Sequence, residues 1–252
     1  MITGLSIDST VDDLLSANCT SCSIKQDMSG YWTPQLYFFE TTTNEYHLVE
    51  ETSGHITYYK FVPSFVGDEQ TVTNPIAIPN GMKMLAGNAM RRNFTLPVPD
   101  PPMPWTGEDA TQDALKQKSI GFNCLNYDPS VPVEGTLQRH FLPTKQFMEE
   151  KCIDGIRAEV LFPTCWDGVN LESEDQSHVA YPDATVNGGR CPPGYPKVIM
   201  QLLFETYYNT GPSSKFANLS GYYVFANGDP TGKSSINVFN NIADSLRLRL
   251  PW

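Results

Sequence analysis

The residues best suited to do chemistry lie in the second half of the sequence. They are Asp167, Asp175, His178 and Glu205. Two carboxylates facing each other across a groove act as general acid and base, or as acid and nucleophile, in glycoside hydrolysis. His178 follows Asp175 by three residues, where an imidazole can transfer a proton, ligate a metal or hold a sugar hydroxyl. A plainer use competes with each of these roles. Asp and Glu most often cap turns or sit solvated in loops, and a lone histidine is commonly a hydrogen-bonded structural residue. A metal site needs three or four convergent ligands, and Asp175-x-x-His178 supplies at most two, so metal ligation is not expected. The other histidines are His47, His55 and His140.

Aromatic and cationic residues sit beside these groups. Tyr31 and Trp32 follow Asp27, Trp166 precedes Asp167, and Arg157 lies within G-I-R-A. Exposed aromatic rings stack on the apolar face of a pyranose while carboxylates accept its hydroxyl protons, so Asp27, Tyr31, Trp32 and Trp166 are candidate substrate-binding residues. Arg157 is suited to bind a carboxylate bidentately, on a ligand or within the protein. The competing reading places the aromatics in a core and Arg157 in a structural salt bridge. The sequence holds no G-x-S-x-G elbow, phosphate-binding glycine loop or dinucleotide fingerprint, and no cofactor is implied.

The elements that must position these residues read as mainly β. Aromatic and β-branched residues fill 31–40, and 45–62 reads as a hairpin turning near Ser53-Gly54. The proline density of 93–106 excludes regular structure. Residues 109–118 form the best short helix, with few apolar positions to anchor it. Further strands are expected at 155–162, 197–206 and 221–226, and the connection 163–196 is long enough to be functional or covalently pinned. The expected architecture is a single domain over 1–252, a β-sandwich or jelly-roll-like fold with long disulfide-pinned loops and little helix.

Composition narrows the setting. The 252 residues are 40% hydrophobic and 12% aromatic, which suits a folded globule, and a formal net charge of −11 disfavours nucleic acid and anionic lipid as partners. No apolar run reaches the roughly 18 residues of a membrane-spanning helix, and the first residues lack the basic and apolar regions of a signal peptide. Six cysteines, Cys19, Cys22, Cys124, Cys152, Cys165 and Cys191, lie in polar, turn-rich surroundings as oxidised pairs do. Sequons at Asn18, Asn93 and Asn218 agree with passage through the secretory pathway, which implies a removed signal peptide or a fragment. Cys19-x-x-Cys22 has redox-dithiol spacing but no βαβ context, so a local disulfide is the simpler reading.

Several stretches taken together resemble one family: C-T-S-C-x4-D-x3-Y-W-T-P at 19–34, G-I-R-A at 155–158, F-P-T-C-W-D-G-x-N-L at 162–171 and D-Q-S-H-V-A-Y-P at 175–182. C-P-x2-Y-P at 191–196, L-L-F-E at 202–205 and N-G-D-P-T-G at 227–232 follow in the same order. On these blocks the chain resembles the DUF1996 family. The resemblance implies a secreted fungal domain, often encoded beside wall-associated WSC modules, with a biochemical role that the family name leaves open. Chain order within the blocks implies the pairs Cys19–Cys22, Cys124–Cys152 and Cys165–Cys191, the last closing a loop around Asp167, Asp175 and His178. Relatives usually carry a D-P-I segment with a His-x-His pair at the start and a histidine after N-G-D-x-T-G. This sequence begins after the former and reads K-S-S-I-N-V-F at the latter, which further argues against a metal site and suggests a trimmed chain or an altered site. The reading is a secreted glycan-directed protein with a polysaccharide or glycan ligand, expected to be extracellular, free or associated with the cell wall. It hydrolyses glycosides if Asp175 and Glu205, or Asp167, converge with His178. The alternatives are a non-catalytic carbohydrate-binding or wall-structural module, and a folded but inactive remnant.

Overall fold

A computed structural model describes residues 10–16, 23–24, 27–67, 72–87 and 94–226. Cys19, Cys22, Asn18 and Asn93 lie outside these, as does the N-G-D-P-T-G block. The described strands are β1 (Leu36–Glu40), β2 (Glu45–Leu48), β3 (Glu51–Lys60), β4 (Ser64–Val66), β5 (Val72–Thr73), β6 (Ile120–Leu125) and β7 (Gly155–Leu161). They continue with β8 (Cys165–Trp166), β9 (Val179–Ala180), β10 (Arg190–Cys191), β11 (Lys197–Val198), β12 (Gln201–Tyr208) and β13 (Gly221–Phe225). Three short α-helices are interspersed: α1 (Val11–Leu15), α2 (Gln112–Lys118) and α3 (Lys145–Lys151).

The largest sheet is antiparallel, in the order β3-β12-β7-β6. Period-two alternation explains its two faces. Ile156, Ala158 and Val160 of β7, with Leu202, Phe204 and Tyr208 of β12, enter the main core. Leu161 and Leu203 point the other way, into a second cluster with Trp105, Leu115, Tyr181 and Val186. A three-stranded sheet, β13-β1-β2, closes the main core from the opposite side. There Phe225 lies 6.0 Å from Phe122 and 6.1 Å from Tyr208 between ring centroids, and Phe38 stacks on Phe216 at 4.8 Å. Each fully buried ring contributes about 1.5–3 kcal/mol relative to exposure.

The helices are anchored by single residues. Thr111 caps α2 by accepting from the Ala114 amide, and Leu115 is the apolar side chain that fixes it in the second cluster. In α3, Thr144 caps the Phe147 amide and Met148 enters the main core. Neither α3 nor β6 is apparent in the sequence. Residues 94–106 carry neither helix nor strand, in line with their prolines.

Two expectations about strands need correction. No hairpin turns at Ser53-Gly54. β2 pairs with β1, whereas β3 pairs with β12, and the two strands belong to different sheets. Ser53 and Gly54 instead form a bulge inside β3: Thr206 pairs with His55 and Tyr208 with Glu51, so residues 52–54 oppose Tyr207 alone. Gly54 takes φ +69°, which a glycine adopts at little cost. The strand expected at 197–206 divides into β11 and β12. At the break Ile199 donates to the Thr164 carbonyl and Met200 to the Ile76 carbonyl.

The long connection 163–196 is built from three two-residue strands and is covalently closed. Cys165 on β8 is bonded to Cys191 on β10, and Cys124 on β6 to Cys152 at the end of α3. With sequence separations of 26 and 28, each bond removes about 3.5 kcal/mol of unfolded-chain entropy.

Candidate functional site

In the loop closed by Cys165–Cys191, each polar side chain is used by its neighbours. Asp167 accepts from the amides of Val169 and Asn170 at 2.8 and 2.9 Å and from Asn170 Nδ2 at 2.7 Å. Partial burial would raise its carboxyl, but these bonds outweigh it and hold Asp167 below the usual range. Asp175 is exposed and accepts from the Ser177 amide at 3.0 Å, and the Ser177 hydroxyl and amide likewise lower its carboxyl. His178 is buried. Its Nε2 lies 2.8 Å from the Lys83 carbonyl and must donate there, while Nδ1 lies 2.8 Å from the Ser173 hydroxyl and accepts from it. This fixes a neutral ring, and burial lowers its pKa accordingly. Trp166 is half-buried against the main core and donates to the Asn170 carbonyl at 2.7 Å.

These residues do not converge with Glu205. The β8–β11 pairing sets Trp166 opposite Lys197, eight residues before Glu205, which is up to about 25 Å along extended chain. Asp175 lies further out, beyond β9 on the far side of β8. Acid and base in glycoside hydrolysis stand within about 5–10 Å. Among the described residues no hydrogen bond or ion pair joins Asp167 or Asp175 to Glu205: the two aspartates cap turns in the loop, while Glu205 contacts Tyr207 and Arg157.

Asp27, Tyr31 and Trp32 serve the interior. Asp27 is buried and accepts from the Ser29 amide at 3.0 Å, from the Tyr31 hydroxyl at 2.8 Å and from the Tyr59 hydroxyl. Burial, reinforced by the Asp27 charge, pushes both phenols above the ordinary tyrosine value. Tyr31 also meets Phe204 edge-on at 5.2 Å, and Trp32 is half-buried against the same core. None of the three offers an open ring for a sugar to stack on.

A different constellation lies on the outer face of the large sheet. Pairing across β3, β12, β7 and β6 gives one row of Ile56, Glu205, Glu159 and Gly121, a second of Tyr58, Leu203 and Leu161, and a third of Tyr207, Arg157 and Asn123. Glu159 and Glu205 are thus cross-strand neighbours. Arg157 holds both, at 2.8 Å from Glu159 Oε1 and 3.8 Å from Glu205 Oε1, and the Tyr207 hydroxyl donates to Glu205 at 3.1 Å. Glu159 is fully buried beneath Leu137, whose amide donates to its Oε2 at 2.7 Å. Burial, against the opposing effects of that amide and of Arg157, raises Glu159 to about 7. Gly121 is required beside it, since a Cβ there would stand 2.8 Å from both Glu159 Oε2 and the Leu137 Cα.

Next to this pair the proline-rich segment and residues 135–138 enclose a cavity of about 650 Å³ whose floor includes Leu161 and Leu203. Met103 contributes exposed apolar surface to the lining, Trp105 is buried with the Lys118 ammonium over its ring, and Asn187 and Gln138 are among the polar lining residues. Three basic side chains line it. Lys118 pairs with Asp109 at 2.7 Å and lies 4.0 Å over the Trp105 ring. His140 is buried, with Nδ1 2.6 Å from the Ile120 carbonyl and Nε2 2.9 Å from Asp100 Oδ2. Nδ1 faces a carbonyl oxygen, which only accepts, so Nδ1 donates to it. Lys60 donates to Asn187 Oδ1 at 3.0 Å.

Of the expected site residues, only Arg157 and Glu205 meet here. Glu159 joins them from outside the expected set, and Asp100, His140 and Trp105, also outside it, line the neighbouring cavity. The alternation I-R-A-E-V in β7 carries a signal for Glu159, because it sets Arg157 and Glu159 on one face. No comparable pattern joins Asp100 to His140, forty residues apart.

Among the described residues no helix is long and apolar enough to cross a membrane, and no group of three or more His, Cys, Asp or Glu is arranged to hold a metal ion. Asn218 is exposed. No curated protein and no solved structure matches the chain. A family model described as Domain of unknown function (DUF1996) matches residues 3–240, and this chain belongs to that family.

Proposed function

We propose that this chain is a secreted glycan-directed protein of the fungal surface that holds a saccharide in the cavity between the proline-rich segment and the outer face of the β3-β12-β7-β6 sheet. The observation that carries the reading is the lining. Exposed apolar surface at Met103 lines the same cavity as amide and ammonium groups at Asn187, Gln138 and Lys60, the combination that receives the apolar face and the hydroxyls of a sugar ring. Two disulfides and the exposed Asn218 sequon support an extracellular setting.

A second reading, glycoside hydrolysis, is favoured by the Glu159–Glu205 pair. A carboxyl raised to about 7 keeps its proton near neutrality and suits a general acid, and Glu205 beside Arg157 suits a base or nucleophile. Cleavage requires Leu137 to move off Glu159, whereas binding requires no movement.

Titration and product assays with soluble glucan, mannan, chitin and galacturonan oligosaccharides test both readings. Saturable binding without products selects binding. Products that vanish in Glu159→Gln and Glu205→Gln select hydrolysis, and neither binding nor products removes the proposal.

A further inference from the structure

Two of the three basic side chains lining the cavity have a carboxylate partner within the protein, Lys118 in Asp109 and His140 in Asp100. Lys60 is different. Its partner is the neutral Asn187 Oδ1, and no carboxylate among the described residues reaches it. Its half-buried ammonium is pulled below the ordinary lysine value by burial alone, with no neighbouring charge holding it up. A single uncompensated cation beside exposed apolar surface is unusual in a chain of net charge −11.

We infer that the cavity is built for an acidic saccharide, a uronate whose carboxylate pairs with Lys60 while its ring lies along Met103. This rests on the glycan reading above. An ammonium with two hydrogens not committed to Asn187 can meet a carboxylate directly. The Lys60–Asn187 contact is open to solvent, so a carboxylate can reach the ammonium and the pair is partly screened by salt. The same polarity excludes cationic sugars, which would bring a second positive charge to Lys60.

The experiment is calorimetric titration of the full chain with a galacturonate tetramer, its methyl ester, and polyglutamate of similar length. The tetramer is expected to bind about ten-fold tighter than the ester, the size of one partly screened ion pair. Lys60→Met is expected to abolish that preference by weakening the tetramer about ten-fold more than the ester, and Lys60→Arg to keep it. Rising salt should shrink the preference. Equal affinity for tetramer and ester overturns this inference and leaves the glycan reading standing. Equal affinity for polyglutamate overturns the saccharide assignment, and no binding of tetramer or ester overturns both.

Discussion

The Cys165–Cys191 loop and the outer face of the large sheet both gather charged residues, but they do so in opposite ways. In the loop, Asp167, Asp175 and His178 bond to partners within a few residues or to a nearby carbonyl, and their protonation is settled by local folding. On the sheet, Glu159, Arg157 and Glu205 are brought together from separate strands, with one carboxyl raised to about 7, beside a cavity. A compact motif in the sequence thus marks a loop that folds itself. The groups with unspent chemistry come from positions that look unremarkable one at a time.

The comparison is broken most forcefully by removing Arg157. Arg157→Met leaves Glu159 buried without its cation and should cost about 3–5 kcal/mol at pH 8, read as a lowered denaturant midpoint. A cost under about 1 kcal/mol would mean the cluster is not coupled as described. The loop counterpart is Cys165→Ser with Cys191→Ser, which should cost about 3.5 kcal/mol by the same measurement, while saccharide binding persists under native conditions.

Acid titration sharpens the contrast. Glu159 has a folded pKa of about 7 against an ordinary 4.5, so between those values the folded chain holds a proton that the unfolded chain has released. Its contribution is therefore fully favourable below about pH 4.5 and is lost as pH rises through 7, an effect on the order of 3 kcal/mol. Glu159→Gln should remove that dependence, as followed by thermal unfolding across the window. Asp167 and Asp175, with lowered values, act with the opposite sign at lower pH, where their contribution is lost on protonation.

Smaller effects are expected from single changes in the loop. His178→Ala strands the Lys83 carbonyl and should cost about 1–3 kcal/mol. Asp175→Asn sits at an exposed turn and should stay within about 1 kcal/mol of the parent chain.

What the sequence discloses follows from how local each feature is. Strands β7 and β13 stand out through aliphatic and aromatic runs bounded by glycine, and 94–106 through its prolines. The pairs Cys124–Cys152 and Cys165–Cys191 come with the family resemblance. Ser53-Gly54 misleads because a bulge and a turn draw on the same residues. β6 and α3 are short and depend on tertiary burial of Phe122 and Met148. Trp32 and Tyr31 read equally well as a sugar platform or as core, and only packing against Phe204 and its neighbours decides between them.

The central claim is that ligand recognition belongs to the cavity on the sheet and not to the disulfide-closed loop. The most direct test titrates the oligosaccharide panel against the parent chain, a Met103→Ala/Asn187→Ala double variant at the cavity rim, and Asp175→Asn. Affinity reduced about ten-fold or more by the rim variant and unchanged by Asp175→Asn is the predicted result. Affinity lost in Asp175→Asn and kept in the rim variant would contradict it and return the site to the loop.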